Sequence, residues 1–315
     1  KIPGATIVQL DKMPGENEIQ KWGLTDYVGA VTDGTYGAVG LDFKSPHTGL
    51  AAKKVWFFFD KTYVCLGTDI SSRMKNQVLT TVNQCLLNGQ VTVSDADGIH
   101  PQERGSRMKK GVRWVVHDRV GYYFLNKENV ILSNQRTEGS WKIANRQTTT
   151  PTDIIQQDVF TLSVDHGSYP NNEGYAYMVV PSADPLSIEK QVEEEGVVVL
   201  ANCPDVQAVR HDGLNMAYAV FYKGGTLRIH DKIVVEMDAP GMLMVKYNDA
   251  GEILTLGVSD PTRFMKKLHL SVNQRIVGTA QENIQTEWDG KQALTRITVE
   301  LPQNEYAGKS VIYNK

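Results

Sequence analysis

KKVWFFFDKTYVCLGTDI, residues 53–70, decides the fold class. Val55 to Phe59 is a run of aromatic and β-branched residues, Asp60 and Lys61 interrupt it, and Thr62 to Leu66 resumes it. Such residues favour a pleated, packed surface, so the stretch reads as two strands joined by a tight polar turn. An aromatic run this dense calls for cover on both faces, which places it deep in a large sheet-rich body.

The same style continues along the chain. Gly111–Phe124 (GVRWVVHDRVGYYF) reads as two short strands about a turn at His117-Asp118-Arg119, and Asp158–Asp165 (DVFTLSVD) alternates as a half-buried strand does. Tyr175–Val180, Met216–Tyr222, Thr226–Met237, Lys267–Ser271 and Leu294–Leu301 are further strand-like runs. Lys223-Gly224-Gly225 reads as a hairpin turn, and so does Asn248-Asp249-Ala250-Gly251 between Met242–Tyr247 and Glu252–Val258. Within Ser72–Leu86, the segment Val78–Val82 favours strand. The one good helix is Asp184–Glu195 (DPLSIEKQVEEE), with Asp184 or Ser187 as cap and Pro185 near its first turn. Closely spaced turn signals and scarce helix predict an all-β, antiparallel sandwich architecture.

A chain of 315 residues exceeds most single domains. The acidic run Glu193-Glu194-Glu195-Gly196 closes the helix and is the best boundary, giving domains 1–196 and 197–315. Lys plus Arg number 33 against 36 for Asp plus Glu, a net charge of −3, which lacks the basic excess of a nucleic-acid binder. No window approaches the ~18 uninterrupted apolar residues of a membrane-spanning helix, so no membrane partner is expected. The abrupt start Lys1-Ile2-Pro3-Gly4 reads as a cut inside a longer chain.

Candidate chemistry is sparse. Cys65, Cys85 and Cys203 form no C-x-x-C pair, and Cys65 and Cys203 sit in strand-like surroundings as buried free thiols. His117 and Asp118 are neighbours in a strand–turn pattern, so their side chains diverge and a structural role is expected. His166 reads as a loop histidine with local hydrogen bonds. Asp95-Ala96-Asp97-Gly98 has the opening of a calcium loop without its remaining ligands. Arg104, Arg107, Lys109 and Lys110 read as a solvated loop rather than an anion site. The phosphate, serine-nucleophile and zinc motifs are absent from the sequence, so no metal or cofactor is expected. Lys21–Tyr36 (KWGLTDYVGAVTDGTY) has loop composition, and Trp22 stands apart from other large apolar residues. Its indole either stacks on the apolar face of a sugar ring or folds back onto the sheet.

Several segments together resemble the hyaluronate, chondroitin and xanthan lyase family. They are Thr32-Asp33-Gly34-Thr35-Tyr36-Gly37 with Leu41-Asp42-Phe43, Lys54–Asp60, Cys65-Leu66-Gly67, Thr80–Gln84 with Leu87-Asn88-Gly89, His117-Asp118 with Gly121–Phe124, and Leu200-Ala201-Asn202 with Gln207-Ala208-Val209. The resemblance spans almost the whole chain in order. It implies a large multi-sheet antiparallel super-sandwich followed by a smaller C-terminal β-sandwich, with a helical toroid domain preceding both. It also implies β-elimination at a uronic acid of an acidic polysaccharide (chondroitin sulfate or hyaluronan), in a secreted or periplasmic protein. The family's catalytic Asn, His, Tyr and Arg belong to the toroid, and its supporting Glu precedes the Ile-Pro-Gly motif, so no catalytic residue is carried over. Trp22 falls where a family tryptophan lines the cleft and is the one substrate-binding candidate.

Overall fold

The computed structural model describes residues 1–12, 15, 22–145, 147–276 and 282–315. In chain order the strands are β1 (Thr6–Val8), β2 (Val28–Thr32), β3 (Gly37–Lys44), β4 (Ala51–Phe58), β5 (Tyr63–Ser71) and β6 (Gln77–Leu86). β7 (Val91–Asp95), β8 (Gly98–Pro101), β9 (Ser106–His117) and β10 (Val120–Gly139) follow. One helical turn, α1 (Trp141–Ala144), separates β10 from β11 (Ile155–Ser168) and β12 (Glu173–Pro181). After α2 (Ile188–Glu195) come β13 (Val197–Cys203), β14 (Val206–His211), β15 (Met216–Phe221), β16 (Gly225–His230), β17 (Ile233–Met237) and β18 (Gly241–Tyr247). The series ends with β19 (Ile253–Ser259), β20 (Lys267–Val272), β21 (Ile284–Asp289), β22 (Leu294–Glu300) and β23 (Val311–Asn314). The chain is all-β, as its sequence predicts.

The chain forms two compact units and passes between them more than once. The first gathers β1, Ser72–Pro170 and Tyr177–Ile188. Its antiparallel sheet runs β1-β6-β11-β10 and ends on the second half of β12. β10 also pairs with β9, which leads on to β7 and β8. The turn at His117 is where expected, but the strands it joins are 12 and 20 residues long rather than short. Trp114, Phe124, Leu132, Phe160 and Leu162 are fully buried here. The helix is shorter than Asp184–Glu195 suggests. Asp184 caps the turn before it, its Oδ1 accepting the Leu186 N–H at 2.8 Å.

The second unit gathers the stretch up to Ser71, Asn171–Ala176 and Glu189–Lys315. It is layered. A sheet β5-β4-β3-β2 covers one face of the six-stranded sheet β13-β14-β15-β18-β19-β23, and the five-stranded sheet β16-β17-β20-β22-β21 covers the other. β15 shows why this order holds. Ala217, Ala219 and Phe221 face the core shared with the five-stranded sheet. Tyr218 on the alternate face stacks on Phe57 of β4 at 5.8 Å, and Val220 lies against Gly40 of β3. A strand covered on both faces has no position for a polar residue, hence the unbroken MAYAVF.

Two expectations fail here. Lys223-Gly224-Gly225 is not a hairpin turn. Both edges of β15 are taken, by β14 and β18, so the chain crosses to the other sheet and β16 pairs with β17. A Cβ at Gly224 would sit 2.6 Å from the Asp238 carbonyl oxygen, so that crossing requires glycine. The aromatic run of β4 is also less enclosed than expected. Val55, Phe57 and Phe59 are buried, whereas Trp56 is half-buried and Phe58 is 42% exposed. The hairpin Met242–Val258 forms as predicted, with β18 paired to β19.

Candidate functional site

The histidines are tied to the scaffold. His117, at the end of β9, is 1% exposed and stacks on Phe160 at 4.3 Å. Its Nε2 accepts the Asn88 main-chain N–H at 3.0 Å, while Asp118 Oδ1 accepts the Asn88 side-chain N–H at 2.8 Å. The role is structural, as expected, but the two side chains do not diverge: both reach Asn88, because the turn at Asp118-Arg119, with positive φ at both residues, breaks the strand alternation. With the Nε2 lone pair occupied, the proton of a neutral ring sits on Nδ1, which lies 3.7 Å from Cys85 Sγ. Burial lowers the pKa of His117, and neighbouring Asp118 opposes that only in part. Such a ring has no free basic nitrogen to offer a substrate. His166 Nε2 lies 2.8 Å from Thr80 Oγ1, which is itself 2.8 Å from Thr6 Oγ1, a buried chain across β1, β6 and β11.

Asp95-Ala96-Asp97-Gly98 is the tight turn of the β7–β8 hairpin. Asp95 Oδ1 accepts from the Asp97 N–H and lies 3.1 Å from His100 Nε2, and Oδ2 takes Lys109 Nζ at 2.9 Å. Burial pushes this carboxyl up, but those hydrogen bonds outweigh it and hold the pKa below the usual range. The basic stretch is not a loop throughout, because Arg107, Lys109 and Lys110 lie in β9, where strand pairing overrides their charge. Arg104 pairs with Asp158 at 2.7 Å and Arg107 with Glu103, so opposite charges already occupy much of the stretch. Cys65 is buried, but Cys203 is exposed, since it is the last residue of the edge strand β13, beside the tight turn to β14.

Trp22 is 81% exposed and does not fold back onto the sheet. Lys21, beside it, lies outside the described residues. Downstream, Thr32–Gly37 forms the β2–β3 turn. Asp33 Oδ1 accepts the N–H groups of Thr35 and Tyr36, and Gly34 takes φ +95°, where a side chain would be strained. Lys246 Nζ binds Asp33 Oδ2 and lies 4.4 Å from the centre of the Tyr36 ring.

A polar clasp that motif reading missed lies within the second unit. Asn202 of β13 donates from Nδ2 to the carbonyls of Gly67 and Tyr175, both at 3.1 Å. Its Oδ1 accepts from Gln207 Nε2 at 2.8 Å, and Gln207 Oε1 accepts from Tyr222 Oη at 2.8 Å. Tyr175 packs where a Cβ on Gly67 would lie, 2.1 Å from its ring. Three of the quoted segments, Cys65-Leu66-Gly67, Leu200–Asn202 and Gln207–Val209, therefore meet at one place. The sequence signal was a pair of amides in strand positions, Asn202 and Gln207, which demand buried partners.

Residues 1–192 match the family model of the polysaccharide lyase family 8 super-sandwich domain, and residues 198–269 match that of the family's C-terminal β-sandwich domain. The chain belongs to polysaccharide lyase family 8. It is 35% identical to chondroitinase-AC of Pedobacter heparinus over 99% of its length, and 28% identical to a hyaluronate lyase of Thermasporomyces composti over 95%. A solved chondroitinase AC lyase structure superimposes with a TM-score of 0.83 at 34% identity, covering 99% of this chain and 43% of that one. The chain spans 41% of the Pedobacter enzyme and 38% of the Thermasporomyces enzyme.

Proposed function

We propose that the chain is the β-rich part of a lyase that cleaves chondroitin- or hyaluronan-type polysaccharides by β-elimination at uronic acid. In that reaction a base removes the proton at C5, donors neutralise the carboxylate as it becomes enolate-like, and the 4-linked sugar leaves. A carbon acid this weak needs such charge stabilisation, and the groups that provide it lie upstream of Lys1 in the longer protein. The chain contributes one wall of the cleft, with Trp22 as a sugar-stacking residue, and does not catalyse alone. We place the junction between its super-sandwich and its C-terminal sandwich near residue 196, and the whole protein outside the cytoplasm, secreted or periplasmic.

One observation carries this reading: the 35% identity to chondroitinase-AC runs over nearly all of this chain while spanning less than half of that enzyme. The test is the gene product that includes the upstream region, incubated with chondroitin sulfate and with hyaluronan. Unsaturated uronate should accumulate and absorb in the ultraviolet; intact polymer on both substrates refutes the proposal. A second reading, an independent carbohydrate-binding module, rests on the exposed indole of Trp22. It requires the 315-residue chain alone to bind chondroitin sulfate and Trp22→Ala to abolish that binding.

A further inference from the structure

β10 and β11 outrun their neighbours in the first unit. β9 accompanies β10 only as far as Ser133, and β6 accompanies β11 only from Leu86 opposite Val159. Leu87 still donates its N–H to the Asp158 carbonyl, but from Thr137 opposite Gln157 to Gly139 opposite Ile155 the two strands have only each other. Residues 135–139 and 151–157 are exposed on both faces. An isolated two-stranded ribbon is marginal in water, so an arm of this kind implies a further contact. Residues 140–154 join its strands and carry α1, and connections this long without much regular structure usually serve a function.

The tip of the arm is apolar. Trp141 is 63% exposed, Ile143 74% and Ile154 70%, with Ile155 at the end of the ribbon. Isolated exposed apolar residues mean little, but a tryptophan and three isoleucines at the end of one projection make an interaction surface. We propose that this arm docks on the part of the protein that precedes Lys1, seating Trp141, Ile143 and Ile154 in an apolar recess there. The inference rests on the preceding reading, in which a further domain lies upstream.

Two observations select that occupant. The Lys1 main-chain nitrogen lies 3.1 Å from Gln84 Oε1, and Gln84 sits opposite Thr161, two residues before the paired stretch of β6 and β11 ends. Chain arriving at Lys1 therefore comes in at the base of the arm. By strand alternation, Gln84, Leu86, Val159 and Ile155 share one face, and Leu86 is 65% exposed. An acidic polysaccharide fits less well: residues 136–157 hold Arg136, Lys142 and Arg146 against Glu138 and Asp153, too small a basic excess to line a polyanion.

The test is hydrogen exchange, read by mass spectrometry, on the longer gene product and on the 315-residue chain. Amides of residues 136–157 should exchange about tenfold or more slowly in the longer protein. Trp141→Ser with Ile143→Ser should abolish that difference, while leaving the melting temperature of the 315-residue chain unchanged. Equal exchange in both proteins overturns the proposal. So does protection in the short chain that grows with its own concentration, which indicates a second copy, or protection that appears only with chondroitin sulfate. Lyase activity of the same preparation separates the two readings. Product formed without arm protection refutes the docking alone, and a protected arm without product supports the docking while refuting the lyase assignment.

Discussion

Replacing Asn202 with alanine should loosen the second unit, because that one side chain makes three hydrogen bonds to three different segments. Its Nδ2 serves the Gly67 and Tyr175 carbonyls and its Oδ1 serves Gln207. Each such bond contributes a net ~1 kcal/mol, and a buried group left unpaired costs a further ~1–3 kcal/mol. Gln207 is fully buried, so its amide has no water to turn to. Together these give a loss of about 3 kcal/mol for Asn202→Ala. At roughly 2–4 °C per kcal/mol for a unit of this size, melting should fall by about 6–12 °C. Urea unfolding of the 315-residue chain measures the free energy directly. Gln207→Ala and the double variant complete a cycle, in which the second substitution should cost about 1 kcal/mol less once the first is made. A loss below about 0.5 kcal/mol with no coupling would show that the clasp is ornamental and refute the reasoning.

Other outcomes follow from single positions. Gly67→Ala puts a Cβ 2.1 Å from the buried Tyr175 ring and should cost about 3 kcal/mol, with partial recovery when Tyr175→Leu is added; urea titration of both variants decides it. Folding depresses the pKa of His117, so below its ordinary 6.5 the unfolded state binds more protons than the native state. Stability of the first unit is therefore full above pH 6.5 and falls as the pH drops towards the lowered value, and His117→Gln should flatten that slope in unfolding curves from pH 5 to 7.5. Trp22→Ala should leave melting within about 1 °C, since the indole is mostly exposed, yet raise KM for chondroitin sulfate in the longer protein. An unchanged KM would remove Trp22 from the cleft.

Local pattern carried much of this structure. The 53–70 hairpin and the Asn248–Gly251 turn were legible because alternation and turn chemistry are properties of neighbouring residues. Lys223-Gly224-Gly225 misled because glycines mark a sharp change of direction without saying whether the next strand returns to the same sheet. Exposure at Phe58 and Cys203 was hidden for a related reason: strand propensity does not tell which face or end is covered. The Asn202 clasp depends on Gly67, 135 residues away, and on Tyr175, 27 residues away, so no window of sequence contains it. The β10–β11 arm was invisible because its projection reflects where β6 and β9 stop, not anything in its own residues.

The measurement that bears most directly on the account is the rate of unsaturated uronate release from chondroitin sulfate, taken side by side for the longer gene product and for the 315-residue chain at equal concentration. Steady release by the former and none by the latter is expected. Release by the short chain at a comparable rate would mean that its own strands hold a complete reactive centre, and the account would be wrong.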